Sequence, residues 1–207
     1  MSRLTPAQVM ARIAVGNVKS TLLNCHKPGL HSIVLEDRVD ENIGMTRVFY
    51  ATADHTLGTL MTGGDFSLLP HNHRQDIKLE LLWGEVDNLS VRRGSGGEGI
   101  PAYQYDFSSA IVDGEIGVSL TGEWPLLVTR TNKIGAGIRA VTLDWHEIHT
   151  VVVQSKTAAW VVYEGALSHG QTSRCISLKP DLKLSQEGLY IPGDIADIKE
   201  QFLNDAQ

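Results

Sequence analysis

The sequence predicts an all-β domain with a short helix at each end. From Ile33 to about residue 178 the chain runs in short segments rich in Val, Ile, Thr and aromatic residues. These segments recur about every ten residues with no helical pattern between them, which is the signature of a β-sandwich or barrel. Twenty glycines among 207 residues suit the many turns such a fold needs. Hydrophobic residues at 42% and charged residues at 20% are globular values, which removes disordered and collagen-like readings.

The first element is a helix. Thr5-Pro6 places a hydroxyl at the N-cap and proline at the first helical position. Val9, Met10, Ile13, Ala14 and Val18 then recur at helical steps, so a helix is expected from Pro6 to Leu23, bent at Gly16 and closed by Lys27-Pro28-Gly29. Strands are expected at 46–52, 56–62, 66–73, 79–83, 88–93 and 103–111. Further strands are expected at 115–120, 126–131, 137–143, 147–154, 158–163 and 173–178. Pro192-Gly193-Asp194 opens a short C-terminal helix that carries Ile195, Ile198, Phe202 and Leu203. No linker, repeat or charge block divides the chain, so one domain is expected over 1–207. It comprises a helical segment at about 5–24, a β barrel at about 33–180, and a tail with a short helix at 181–207.

Eighteen basic and 24 acidic residues give a net charge of −6. Binding to nucleic acid or anionic lipid needs a basic face, so neither is expected as a partner. Cys25 and Cys175 are too few for a disulfide scaffold and read as reduced thiols, consistent with a cytoplasmic location. No run approaches 18 apolar residues, and the first six residues open no signal-like segment, so no membrane association is expected. Gly94-Ser95-Gly96-Gly97-Glu98-Gly99 fits the dinucleotide pattern by letter. That mechanism needs a helix to open at the last glycines, whereas Ile100-Pro101 and a strand-like segment follow, so the stretch reads as a hairpin loop.

The chemistry lies in the histidines. In a strand, residues two apart share a face, so His71 and His73 would project together as half of a divalent-metal site. Trp145-His146-Glu147-Ile148-His149 supplies a third imidazole. His149 shares the parity of Glu147, Val151 and Val153, and His146 has the opposite parity. Three imidazoles leave coordination positions open, as catalytic metal sites do. Asp76 and Glu80 are the acids near the first pair and are candidates for a fourth ligand. His26, His31, His55 and His169 have no partner spacing and are expected to play no part.

These residues carry a resemblance. Gly63-Gly64 through Gly84, with His71-x-His73 inside and Leu81-Leu82-Trp83-Gly84 closing it, resembles the first motif of the cupin superfamily. His149-Thr150-Val151-Val152-Val153, then Lys156-Thr157-Ala158-Ala159 and Trp160-Val161-Val162-Tyr163, resembles the second. The resemblance covers roughly residues 45–165 and implies a double-stranded β-helix, jelly-roll-like barrel with the metal in its mouth. Many cupins add a glutamate ligand at the position that is Ile77 here. A site of three histidines alone is similar to thiol dioxygenases of the cysteine dioxygenase type. Pro70-His71-Asn72-His73-Arg74, Gly84-Glu85-Val86-Asp87-Asn88 and Arg92-Arg93 are similar to bacterial members of that branch. The likeness implies that Arg47 anchors a substrate carboxylate, for which a planar guanidinium fork suits, and that Tyr163 is an active-site tyrosine. The chain departs from the branch at Ala159 and Val161, where the family has a serine and a histidine, and at Ile77, where some members have a cross-linking cysteine.

The expected function is therefore a mononuclear non-haem Fe(II) dioxygenase with metal ligands His71, His73 and His149. Its partners would be O2 and a small anionic substrate, a thiol or a β-dicarbonyl. Zn, Ni or Mn in the same site would instead suit a cupin isomerase, lyase or decarboxylase that uses no O2. A non-catalytic cupin that binds a metal or small ligand is the reading from a different class. A homodimer is expected by resemblance and from the prevalence of symmetric dimers.

Overall fold

The structure is a computed structural model that describes residues 4–26, 28–36, 44–53, 69–112, 115–135, 139–165, 173–182, 184–185 and 190–207. Helix α1 (Pro6–Ala14) is followed by β1 (Ser20–Leu23), β2 (Leu30–Glu36), β3 (Thr46–Ala51), β4 (Ile77–Trp83) and β5 (Val86–Arg93). Then come β6 (Tyr103–Val112), β7 (Glu115–Glu123), β8 (Leu126–Ile134), β9 (Ala140–Leu143), β10 (Ile148–Val153) and β11 (Ala158–Glu164). Strands β12 (Arg174–Ser177), β13 (Leu184–Ser185) and β14 (Ile191–Gly193) lead to helix α2 (Ala196–Asp205). The mainly β architecture with a helix at each end is as expected.

Helix α1 starts where the sequence says. The Thr5 hydroxyl accepts from the Gln8 amide, and the Gln8 side chain accepts from the Thr5 amide at 2.8 Å, a reciprocal cap with Pro6 behind it. It stops at Ala14 rather than Leu23. Gly16 takes a left-handed φ of +72°, and 20–23 forms β1 between β2 and β14. Val18, Leu22 and Leu23 fit either a helical or an alternating pattern, and the sheet hydrogen bonds to two neighbours decide for the strand. Strands β1, β2, β13 and β14 were not among those expected from the periodicity.

One sheet runs β14-β1-β2-β3-β11-β4-β9. The other consists of β8-β5-β10 and β12-β6-β7-β13, joined because His71 bridges both His149 in β10 and Cys175 in β12. Alternation assigns the faces. Leu30, Ala51, Leu79, Leu81, Trp160 and Val162 of the first sheet meet Val86, Ile134, Val151 and Val153 of the second in one buried cluster. The opposite face of the first sheet presents Ile33, Val48, Tyr50, Val161 and Tyr163, and it is covered by Val9 and Ile13 of α1 and Ile198 and Phe202 of α2. The described strands form two facing sheets that are not closed into a barrel. The expected strand 56–62 and residues 66–68 of the next lie outside the described residues; the remainder of that segment pairs only at His71.

Two glycine positions have a clear role. Gly84 (φ +82°) turns β4 into β5, and a Cβ there would fall 2.5 Å from the Thr157 carbonyl oxygen. The Gly94–Gly99 stretch leads from β5 to β6 without a helix, so no phosphate cradle forms. It is not a hairpin either, because β5 pairs with β8 and β10 while β6 pairs with β7 and β12.

Phe202 has no exposed surface and makes edge contacts with Tyr50 at 5.2 Å and Trp83 at 4.6 Å between ring centroids. Phe202→Ala is expected to cost about 3–5 kcal/mol in urea unfolding. A loss below about 1 kcal/mol would show that α2 does not anchor the outer face.

Candidate metal centre

The inter-sheet core is apolar at one end and polar at the other. Ala51, Leu81, Val86, Val153 and Ala158 fill the first end. His149, Asn88 and Arg47 stand on inward-facing positions toward the second, by the alternation of β10, β5 and β3. The backbone places His71 there: its N–H donates to the His149 carbonyl at 2.9 Å, and the His149 N–H returns to the His71 carbonyl at 3.0 Å. Asn72 locks the next residue through its side-chain oxygen, which accepts from the Arg174 amide at 2.7 Å.

Three imidazoles converge as a result. The ring centroids of His71, His73 and His149 lie 4.8, 5.4 and 5.1 Å apart, and one nitrogen from each falls within 4.8 Å of the others. The tautomers are set by neighbours. His71 Nδ1–H donates to the Leu69 carbonyl at 2.8 Å, and His149 Nδ1–H donates to Asn88 Oδ1 at 2.6 Å. Both rings therefore turn an unprotonated Nε2 toward the cluster. His73 Nε2 lies 2.9 Å from His149 Nε2. Two nitrogens bonded to one ion at about 2.0–2.1 Å would be about 3.0–3.4 Å apart, so this pair is close to the spacing of ligands on a common metal. The donor set fits a first-row transition ion of the kind imidazole favours.

Electrostatics keep these rings neutral. Burial is the leading cause that lowers the proton affinity of all three. Neighbouring imidazoles add to it at His73 and His149, and Arg47 adds at His73. The Leu69 carbonyl partly opposes it at His71. A neutral imidazole is the ligand form, so no proton must leave before a cation binds at neutral pH.

The structure brings His71, His73 and His149 together and sorts the remaining candidates. Arg47 faces the same interior, but its guanidinium is held by Glu164 at 2.6 Å, and Glu164 also accepts from Gln75 at 2.8 Å. Arg47 Nε is buried without a hydrogen-bond partner. Tyr163 is not brought to the histidines. It lies on the outward parity of β11 with Ala159 and Val161, and its hydroxyl donates to the Leu4 carbonyl at 2.7 Å. Glu80 projects to that outward side too and pairs with Lys78 at 2.7 Å. Asp76 accepts from the Trp145 amide at 2.8 Å, and among the described residues neither acid joins the cluster. His146 lines a surface groove of about 540 Å³ with Arg92, Arg130 and Glu147, a groove to which none of the three histidines contributes.

Sequence reasoning missed Asn88 and His26. Asn88 is fully buried on the inward alternation of β5, between Val86 and Ser90 and opposite Val151, and no motif marks it in the sequence. His26 sits in the β1–β2 turn, 6.5 Å from the His71 ring, and is exposed. Its pKa is lowered to about 3, first by the protein that displaces water from around the ring nitrogens and then by His71 and Arg47, although the residue as a whole keeps contact with solvent. No sequence spacing links it to His71. His55 and His169 lie outside the described residues.

No protein-family model matches the chain, and no curated protein matches it in sequence. Solved structures overlap it only loosely. The S. wedmorenis hydroxypropylphosphonic acid epoxidase is 10% identical, with a TM-score of 0.34 over 69% of this chain and 53% of its own. E. coli ycfD is 10% identical, with a TM-score of 0.39 over 80% of this chain and 46% of its own. This chain thus spans about half the length of either. The Cellulomonas parahominis L-ribose isomerase is 12% identical, with a TM-score of 0.36 over 94% of this chain and 90% of its own. Overlaps at these scores carry no argument about this chain's family or activity. Among the described residues, no helix is long and apolar enough to cross a membrane.

Two predictions follow from the site. Asn88→Leu removes the acceptor that fixes the His149 tautomer and is expected to weaken metal binding about 10–100-fold in chelator competition. Unchanged affinity would show that Asn88 does not orient the ring. The second concerns pH. Unfolded histidines titrate near 6.5, whereas the three clustered rings resist protonation when folded. The unfolded chain therefore binds more protons below pH 6.5, and the metal-free protein loses stability as pH falls from 6.5 toward 5, by up to about 1.4 kcal/mol per pH unit for each ring. Urea midpoints that stay level across that range would contradict the buried, neutral state.

Proposed function

We propose that this chain is a metal-dependent cupin enzyme, in which His71, His73 and His149 hold Fe(II) and dioxygen is inserted into a small anionic substrate. The observation that carries the reading is a cluster of three neutral imidazoles that no carboxylate joins among the described residues, set at the polar end of an apolar inter-sheet core. Bound Fe(II) would supply a point of attachment for an anionic donor atom and for dioxygen.

The protein's own residues do the rest. Uncharged imidazoles leave the cation's charge uncompensated, which favours an anionic partner such as a thiolate or an enolate. Leu69 and Asn88 keep two rings in the ligand tautomer. Phe49 and Trp160, stacked at 5.8 Å, give the interior an apolar wall that limits water. Arg47 adds a positive charge on the same side, shared with Glu164. A dioxygenase places both oxygen atoms on its substrate and needs no external reductant. A carboxylate-bearing thiol is the favoured class, by the resemblance of the two motifs, with a β-dicarbonyl second.

The protein loaded anaerobically with Fe(II) is expected to consume O2 when given small thiols or β-diketones, and His149→Ala is expected to reduce uptake to background. Turnover of such a substrate by the Zn(II) form without O2 would replace this reading with that of a cupin lyase or isomerase. Fe(II)-loaded protein that consumes no O2 with either class would overturn it.

A further inference from the structure

A second concave site lies alongside the last residues of β5, and none of the three clustered histidines lines it. This groove of about 540 Å³ draws its charges from separate segments: Arg92 and Arg93 end β5, Arg130 lies in β8, and His146 and Glu147 precede β10. Three guanidiniums meet one carboxylate, a formal excess of +2 on a chain whose net charge is −6. Strand pairing gathers them. Ser90 stands opposite Arg130, and a register shift after Ser90 sets Arg92 and Arg93 opposite Leu127 and Leu126. A shift of this kind bends the strand and re-aims its side chains.

Little of the positive charge is used within the chain. Arg130 donates to Glu147 Oε1 at 3.0 Å, and the Ser90 hydroxyl donates to the same oxygen. Arg93 donates to the Glu123 carbonyl at 3.0 Å, and Arg92 to the Arg93 carbonyl at 3.1 Å. Glu98 comes only to 3.7 Å from Arg92, with both side chains more than half exposed, where an ion pair contributes little. Each guanidinium carries five N–H donors, and these bonds occupy a minority of them.

The same groove has an apolar wall. Val91 and Trp124 are buried in a cluster with Leu126 and Ile176, Ile148 packs against it, and all three of Val91, Trp124 and Ile148 line the groove. Guanidiniums beside a packed apolar wall suit a ligand with an anionic head and an apolar body. Phosphate serves as that head better than carboxylate. A carboxylate fills one guanidinium fork, whereas the three terminal oxygens of a phosphate monoester accept from more than one. Because the excess is local on an acidic chain, it favours a discrete ligand over an extended polyanion.

We propose that this groove binds a small organic phosphate, a phosphate monoester on an apolar body, through Arg92, Arg93 and Arg130. The proposal does not rest on the metal-dependent reading above.

The test is calorimetric titration of the full-length protein, chelator-treated and Co(II)-loaded, with phenyl phosphate, inorganic phosphate, benzoate and phenol. Phenyl phosphate is expected to bind most tightly, with equal affinity in both forms of the protein and less as salt rises. Arg130→Gln and Arg92→Gln should each reduce that affinity about tenfold or more with the thermal midpoint unchanged. Glu147→Gln keeps an acceptor for Ser90 and Arg130 but removes the carboxylate that lines the groove, and should raise the affinity. Wild-type protein that does not bind phenyl phosphate, or that binds benzoate or inorganic phosphate equally well, overturns the proposal. So does an affinity that the arginine substitutions leave unmoved, or binding that appears only in the Co(II)-loaded form, which would put the phosphate at the histidines.

Discussion

The pair of backbone hydrogen bonds between His71 and His149 is the constraint on which the rest of the site depends. They are the backbone link of the 69–73 segment to β10, and together with the contacts to β12 they join two groups of strands into one sheet. The same bonds bring two imidazoles from positions 78 residues apart in sequence to the same place. Because a backbone ladder fixes side-chain direction by parity, making the bridge also aims the rings. Sheet continuity and ligand convergence are therefore one structural event. A change that loosened the 70–72 segment would disturb both.

That arrangement has an electrostatic consequence. Buried neutral imidazoles turn their lone pairs toward a common point, and lone pairs do not attract one another. The 2.9 Å approach of His73 and His149 is comfortable only with a proton or a cation between the nitrogens. With Nδ1 of His149 committed to Asn88, the ring cannot relieve the crowding by switching tautomer without orphaning the Asn88 carbonyl oxygen. Arg47 stands close enough to make a further proton in the cluster unfavourable, and Glu164 and Gln75 hold Arg47 in that place. These electrostatics are consistent with a site for a metal cation.

The sequence made the chemistry of this site more legible than its surroundings. The convergence of His71, His73 and His149 was recoverable because residues two apart in a strand share a face and His149 falls on the inward parity of its own strand. The helix caps were recoverable because a capping box is a local pattern, as Thr5 and Gln8 show. What failed was everything decided by distant partners. Residues 20–23 were compatible with helix or strand, and β2 and β14 made the choice. His26 and Tyr190 meet across 164 positions with no shared motif, so no spacing argument reaches them.

The case of Tyr163 shows how a resemblance can identify a strand and miss a face. Residues 158–164 do form an interior strand, and its inward positions are Ala158, Trp160 and Val162. Tyr163 has the other parity and looks toward the helices, where it packs with Val9 and Phe202 and caps the Leu4 carbonyl. A one-residue change of register sends a side chain to the opposite side of a sheet, so likeness in letters along a strand does not carry likeness in function unless parity is kept. The outer cluster that claims Tyr163 has its own use. Holding His26 and Tyr190 in left-handed backbone costs on the order of 1–3 kcal/mol apiece, and a well-packed face must offset that. The segment that carries Tyr190 continues through β14 into α2, whose Phe202 and Ile198 are buried in that cluster. Packing on one side of the sheet thus fixes the polar pair that lies beside the histidine cluster on the other.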